Sequence, residues 1–93
     1  MSYGLLFQRL CDYFKVPCRI VIGDVMTSKR DAQHMWNMVK LNNKWYHVDI
    51  TWDDTNDKKS YKYSLKSDIF MQSREAGIRK WRWKLYPECL ENF

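Results

Sequence analysis

Only three glycines and two prolines interrupt the 93 residues, too few for a low-complexity linker. The three cysteines, Cys11, Cys18 and Cys89, are an odd number without zinc-ligand spacing. Neither a disulfide framework nor a cysteine-rich metal site is expected, and at least one thiol should be free. No apolar run approaches the ~20 residues of a membrane span, and no signal-peptide pattern is present. Asp53, Asp54 and Asp57 share one polar stretch but lack the Gly and the terminal Glu of a calcium loop. A solvated turn is expected there, with no metal and no cofactor.

Aromatic residues are abundant. Five Trp and six Tyr, in a chain that is 45% hydrophobic, are a load that disordered chains do not carry. The length suits one small domain with a thin margin of stability. The net charge of +5 is spread among eleven acids, which reads as a basic solvated face rather than a nucleic-acid surface. One stretch runs against that reading. Arg79, Lys80, Arg82 and Lys84 interleave with Trp81 and Trp83, the pairing of charge and aromatics that single-stranded nucleic acid uses.

Residues 3–15 read as a helix with Tyr3, Leu6, Phe7, Leu10 and Phe14 as its apolar stripe, ended by Pro17. Cys18–Val25 reads as a central strand, apolar on both faces. Two further runs, His34–Leu41 and Lys44–Thr51, flank Asn42-Asn43, and Asn tolerates the positive φ of a two-residue hairpin turn. That turn pairs Leu41 with Lys44 and therefore Trp36 with Asp49 and His34 with Thr51. His34, Trp36 and Met38 then share a face with Trp45, His47, Asp49 and Thr51. Residues 53–60 read as a polar loop and Tyr61–Leu65 as a short strand. Ser67 should cap a short helix that stops near Gly77, and Trp81, Trp83 and Leu85 alternate like an edge strand. The fold class expected is α+β, the N-terminal helix packed on a small, mainly antiparallel sheet.

In this register His34 and Asp49 are diagonal neighbours on one face, ~7–8 Å apart at the backbone. A carboxylate that accepts from one imidazole nitrogen fixes the tautomer and leaves the other nitrogen as a base. On spacing alone, a polar pair at a sheet edge is the more economical reading. His47, on the same face, reads as a packing or surface residue.

The wording of the segment adds to the spacing. Gln33-His34-Met35-Trp36-Asn37-Met38-Val39, followed by Lys44-Trp45-Tyr46-His47-Val48-Asp49-Ile50-Thr51-Trp52-Asp53-Asp54, closely resembles the core of the transglutaminase-like superfamily. Its strand "H-x-W-N" leads through a short turn to "W-Y-h-V-D-x-T-W-D-D". Val16-Pro17-Cys18-Arg19-Ile20-Val21-Ile22-Gly23 is similar to the family's "I-P-C-R-V-V-x-G" strand, and the resemblance runs over about residues 3–68. It implies a papain-like Cys-His-Asp triad with His34 as general base and Asp49 as its orienting acid, and Trp36 and Trp52 as walls of the substrate groove. The implied chemistry is thiol-dependent acyl transfer on protein or peptide amides.

The family nucleophile belongs to "C-x-G-Y-A-x-x-F" at the start of the first helix, where the helix dipole favours a thiolate. Matching Tyr3 and Phe7 to that motif puts Gly4 at its Ala and Ser2 at its Gly, so the Cys position falls immediately before Met1. The 93 residues are expected to be one domain whose N-terminal part, with the nucleophile, precedes them. Cys11 lies ~16 Å further along the helix, and Cys11 and Cys18 are expected to be packing residues. Ser2 is the alternative nucleophile, although its spacing to Phe7 is two residues short. Two functions from different classes follow: an inactive piece of an acyltransferase or peptidase, and a non-catalytic module that binds protein in the groove. The partner expected is a protein or peptide, with self-association through an exposed sheet face and no nucleic acid.

Overall fold

The computed structural model describes residues 3–26, 33–49 and 63–93. Helix α1 (Tyr3–Tyr13) is followed by β1 (Cys18–Val25), β2 (Gln33–Leu41), β3 (Lys44–Val48), β4 (Ser64–Lys66), the single-turn helix α2 (Asp68–Met71) and β5 (Arg79–Lys80). The strands form one antiparallel sheet in the order β4-β3-β2-β1-β5. This is the expected α+β arrangement of a helix on a small antiparallel sheet.

The hairpin follows from its turn. Asn42 and Asn43 sit at φ 50° and 68°, as a type I′ turn requires, and Leu41 pairs with Lys44, Lys40 with Trp45 and Asn37 with Val48. The register is the one that the two asparagines dictate. Ser67 caps α2 by accepting from the Phe70 amide at 3.1 Å. A 3-10 turn over Arg74–Ala76 then ends at Gly77, which takes φ 93°. The loop read over residues 53–60, and the first two residues of the strand read over 61–65, lie outside the described residues.

Three expectations need correction. First, α1 ends two residues early through a backbone cap rather than at Pro17. Lys15 turns left-handed (φ 60°), its amide donates to the Asp12 carbonyl, and the Val16 amide reaches back to the Cys11 carbonyl at 2.8 Å, the double bond of a Schellman cap. Second, the helix is rotated relative to the expected stripe. Gly4, Phe7 and Cys11 turn inward, while Leu6, Leu10 and Phe14 are exposed. Gly4 lies so close to the sheet that a Cβ there would come within 3.1 Å of Met35 Sδ. Third, the edge strand over 81–85 is absent. Only Arg79 and Lys80 pair, with Val25 and Asp24, and Trp83–Leu85 is a 3-10 turn.

The sheet separates two apolar clusters. Cys11, Val39 and Val48 meet Phe7, Cys18 and Leu41 beneath α1. Val21, Trp36, Met38, Tyr63, Met71, Ala76 and Cys89 pack on the other face. Alternation along β2 accounts for the division, since successive side chains take opposite faces. No described helix is long and apolar enough to cross a membrane.

β5 reaches the sheet only because residue 23 has no side chain. A Cβ on Gly23 would stand 2.4 Å from the Lys80 carbonyl oxygen and 2.8 Å from Trp36 Cη2. One of those atoms is backbone, so relief requires β5 to move. Gly23→Ala is therefore expected to cost ~1–3 kcal/mol or more, read as a lower midpoint in urea with an unchanged slope. A wild-type midpoint would contradict the close approach.

Candidate active site

His34 enters from the start of β2, opposite Gly23 of β1. Asp49 follows β3 directly, and its amide donates to the Tyr63 carbonyl at 2.9 Å. Because the register puts both residues on the face away from α1, their side chains converge. His34 Nε2 lies 2.9 Å from Asp49 Oδ2. The His34 side chain keeps 20% of its exposure and that of Asp49 1%. An ionised carboxylate can only accept, so Nε2 carries the proton and Nδ1 is the nitrogen with the basic lone pair.

A third member, Arg79, arrives from β5. Its Nη1 donates to the same Asp49 Oδ2 at 2.5 Å, and its Nε donates to the Ala76 carbonyl at 2.9 Å. The guanidinium lies over the rings of Trp36 (5.0 Å) and Tyr63 (5.6 Å). Burial alone would raise the Asp49 carboxyl. The hydrogen bond from His34 and the positive charge of Arg79 overcome that and hold it below the usual carboxylate range. Asp49 thus stays ionised while buried, the state in which it can orient an imidazole. Arg79 had read as part of a basic, aromatic surface strip. It is buried at 1% exposure, which removes the first residue of that strip and, with the missing edge strand, its regular alternation.

Trp36 is itself buried at 1% and stands behind the site. Its ring stacks with that of His34 at 6.2 Å and 24°, and Trp81 meets it edge-on. An open cleft of about 550 Å³ lies beside the site, bordered by Gly23, Gln33, Trp81 and Tyr86. Trp52, Thr51 and Ser2 lie outside the described residues. The first turn of α1 rests on the stretch of β2 next to His34: Asn37 Nδ2 donates to the Gly4 carbonyl at 3.2 Å, and Met35 touches Gly4.

All three cysteines are free thiols. Burial pushes the thiol of Cys18 up to about 12 and raises those of Cys11 and Cys89. These are the surroundings of packing residues, not of an activated nucleophile.

A sequence model of the transglutaminase-like superfamily matches residues 2–50, a little over half of the chain. The chain belongs to the transglutaminase-like superfamily. It is also 26% identical, over 110 aligned positions, to the kyphoscoliosis peptidase of Mus musculus, and 24% identical to that of Homo sapiens. In each case the alignment takes in 99% of this chain and 17% of the relative, so the chain spans about a sixth of their length. No solved structure matches significantly.

Removing one member of a buried ion pair strands the other. Arg79→Met is expected to destabilise the fold by ~3–5 kcal/mol at pH 7. Because the folded Asp49 pKa is depressed, its contribution is complete above the unfolded carboxylate value of ~3.9 and is lost as pH falls through the folded value. A protonated Asp49 no longer needs the cation, so the gap between wild type and variant should narrow below about pH 4. Denaturation curves between pH 3 and 7 measure it, and a gap that widened on acidification would contradict the assignment.

Proposed function

We propose that this domain is the base-and-acid half of a thiol-dependent acyl-transfer site acting on protein or peptide amides. His34 serves as general base and Asp49 as its orienting acid. The observation that carries the reading is the hydrogen bond of His34 Nε2 to a buried, ionised Asp49. It leaves Nδ1 as the base on a ring that still meets solvent. The peptidase named in the two mammalian relatives supports amide chemistry of this kind.

In the reaction, His34 takes the thiol proton as sulfur attacks the amide carbonyl. It then returns that proton to the departing amine, leaving a thioester on the enzyme. Water as acceptor completes hydrolysis, and an amine completes crosslinking. The cleft bordered by Gly23, Gln33 and Trp81 is the place for the substrate chain. By the family motif, the nucleophile is the residue before Met1.

The 93 residues on their own should not turn over. Burial raises all three thiols and so disfavours the nucleophilic thiolate. Peptidase, deamidase and amine-incorporation assays on this chain are expected to read background. Addition of Cys immediately before Met1 should produce activity that His34→Ala lowers by ~10²–10⁴-fold. Turnover by the 93 residues that depends on His34 would place the nucleophile at Ser2 or an existing cysteine and refute the assignment. Silence of the extended chain would favour the second reading, a protein-binding module that keeps the fold, which the three raised thiols also support.

A further inference from the structure

A second histidine–aspartate pair also meets Trp36, with the His47 ring 6.3 Å from the Trp36 ring. His47 is fully buried on the same face of the sheet, one strand away from Trp36. Its Nδ1 accepts from the Trp36 indole Nε1–H at 2.9 Å, and its Nε2 lies 2.6 Å from Asp68 Oδ1. Asp68 opens α2 behind the Ser67 cap, and its second oxygen accepts from the Cys89 amide at 3.1 Å. The chain of bonds therefore runs from the C-terminal segment through α2 and β3 to β2.

The polarity of this chain is fixed. An indole N–H can only donate, so Nδ1 of His47 must be the acceptor and Nε2 must hold the proton given to Asp68. Burial lowers the affinity of His47 for a second proton, and the nearby charge of Arg79 lowers it further, against the pull of Asp68. His47, Asp68 and Cys89 also bring one nitrogen, one oxygen and one sulfur within 4.8 Å of one another. The donor set does not suit a metal. A His bound through Nε2 directs an N–H from Nδ1 at an acceptor, and here Nδ1 faces another donor.

Trp36 is the plate on which the functional groups rest. The His34 ring stacks on it and the Arg79 guanidinium lies over it. An indole of this shape has two opposite ring orientations about its outer torsion, and only one delivers Nε1–H to His47. We propose that His47 and Asp68 are a positioning pair that selects this orientation of Trp36 and so sets the ring of His34 and the seat of Arg79 against Asp49. The inference rests on the reading of His34 and Asp49 as the base and its orienting acid. Neither His47 nor Asp68 touches the reacting atoms.

The test is NMR on the full 93-residue chain, which needs no nucleophile. In wild type, long-range ¹H–¹⁵N spectra at pH 7 are expected to show His47 neutral with its proton on Nε2, and a slowly exchanging Trp36 indole proton. A charged His47, or one with the proton on Nδ1, overturns the proposal whatever the variants do. His47→Leu should lose the slow indole proton and shift the ring proton resonances of His34, which stacks on Trp36. His47→Asn puts an amide oxygen near the position of Nδ1 and should restore the indole signal and the His34 ring resonances. Loss of the indole signal with an unmoved His34 also overturns the proposal, because a merely structural His47 would behave that way. Failure of the catalytic reading is seen separately, as an extended chain that is silent while these spectra are as expected.

Discussion

An ionised carboxylate taken out of water loses several kcal/mol of hydration even after the protein relaxes around it, and Asp49 is almost wholly buried. The architecture around β2 and β3 answers that cost. The hairpin register brings His34 to one oxygen, and β5 brings Arg79 to the same oxygen. Aromatic faces of Trp36 and Tyr63 flank the guanidinium, favourable contact for a cation with reduced hydration. Without the cation, Asp49 would take up a proton and cease to be an ion. Without Asp49, the buried guanidinium would lose the carboxylate it donates to. The site and the core are thus one electrostatic object.

The two histidines show how one residue type is sorted by its surroundings. His34 has a partly exposed ring with Asp49 on one nitrogen. His47 is held at both nitrogens by Trp36 and Asp68 and has no exposure. It is locked in one tautomer, which suits a structural strut and not a proton carrier. The cysteines divide in the same way. Burial has kept them as small apolar fillers on the two faces of the sheet, and α1 spends its inward face on Gly4, Phe7 and Cys11.

Much of this is legible in the amino-acid sequence. Alternation around Asn42-Asn43 determines the pairing, pairing determines the faces, and the faces bring His34 and Asp49 together, each step a consequence of a period of two. The cap at Ser67 and the stop at Gly77 are equally local. Arg79 was not legible, because a sequence run of Arg, Lys, Trp and Arg looks the same whether its first member is buried or solvated. A hint was available in Asp49 itself: a carboxylate following Val48 and preceding Ile50, on a face shared with Trp36, calls for a cation from elsewhere. The helix face was misjudged for a different reason. Leu5, Leu6, Phe7 and Leu10 make α1 apolar over most of its girth, so periodicity alone could not choose the inward side, and the lack of a side chain at Gly4 did.

Gly77 and Ile78 both take left-handed backbone, at φ 93° and 50°, immediately before Arg79. A β-branched residue is rarely found there, and the turn aims Arg79 into the interior. That arrangement gives the chain an assembly order. During synthesis the hairpin of β2 and β3 is complete some thirty residues before Arg79 is made, and hairpins close within microseconds. Until Arg79 follows, the hairpin lacks this cation for its carboxylate, and burying Asp49 costs more. Burial of the Asp49 carboxylate and delivery of the last strand are therefore linked through one ion pair.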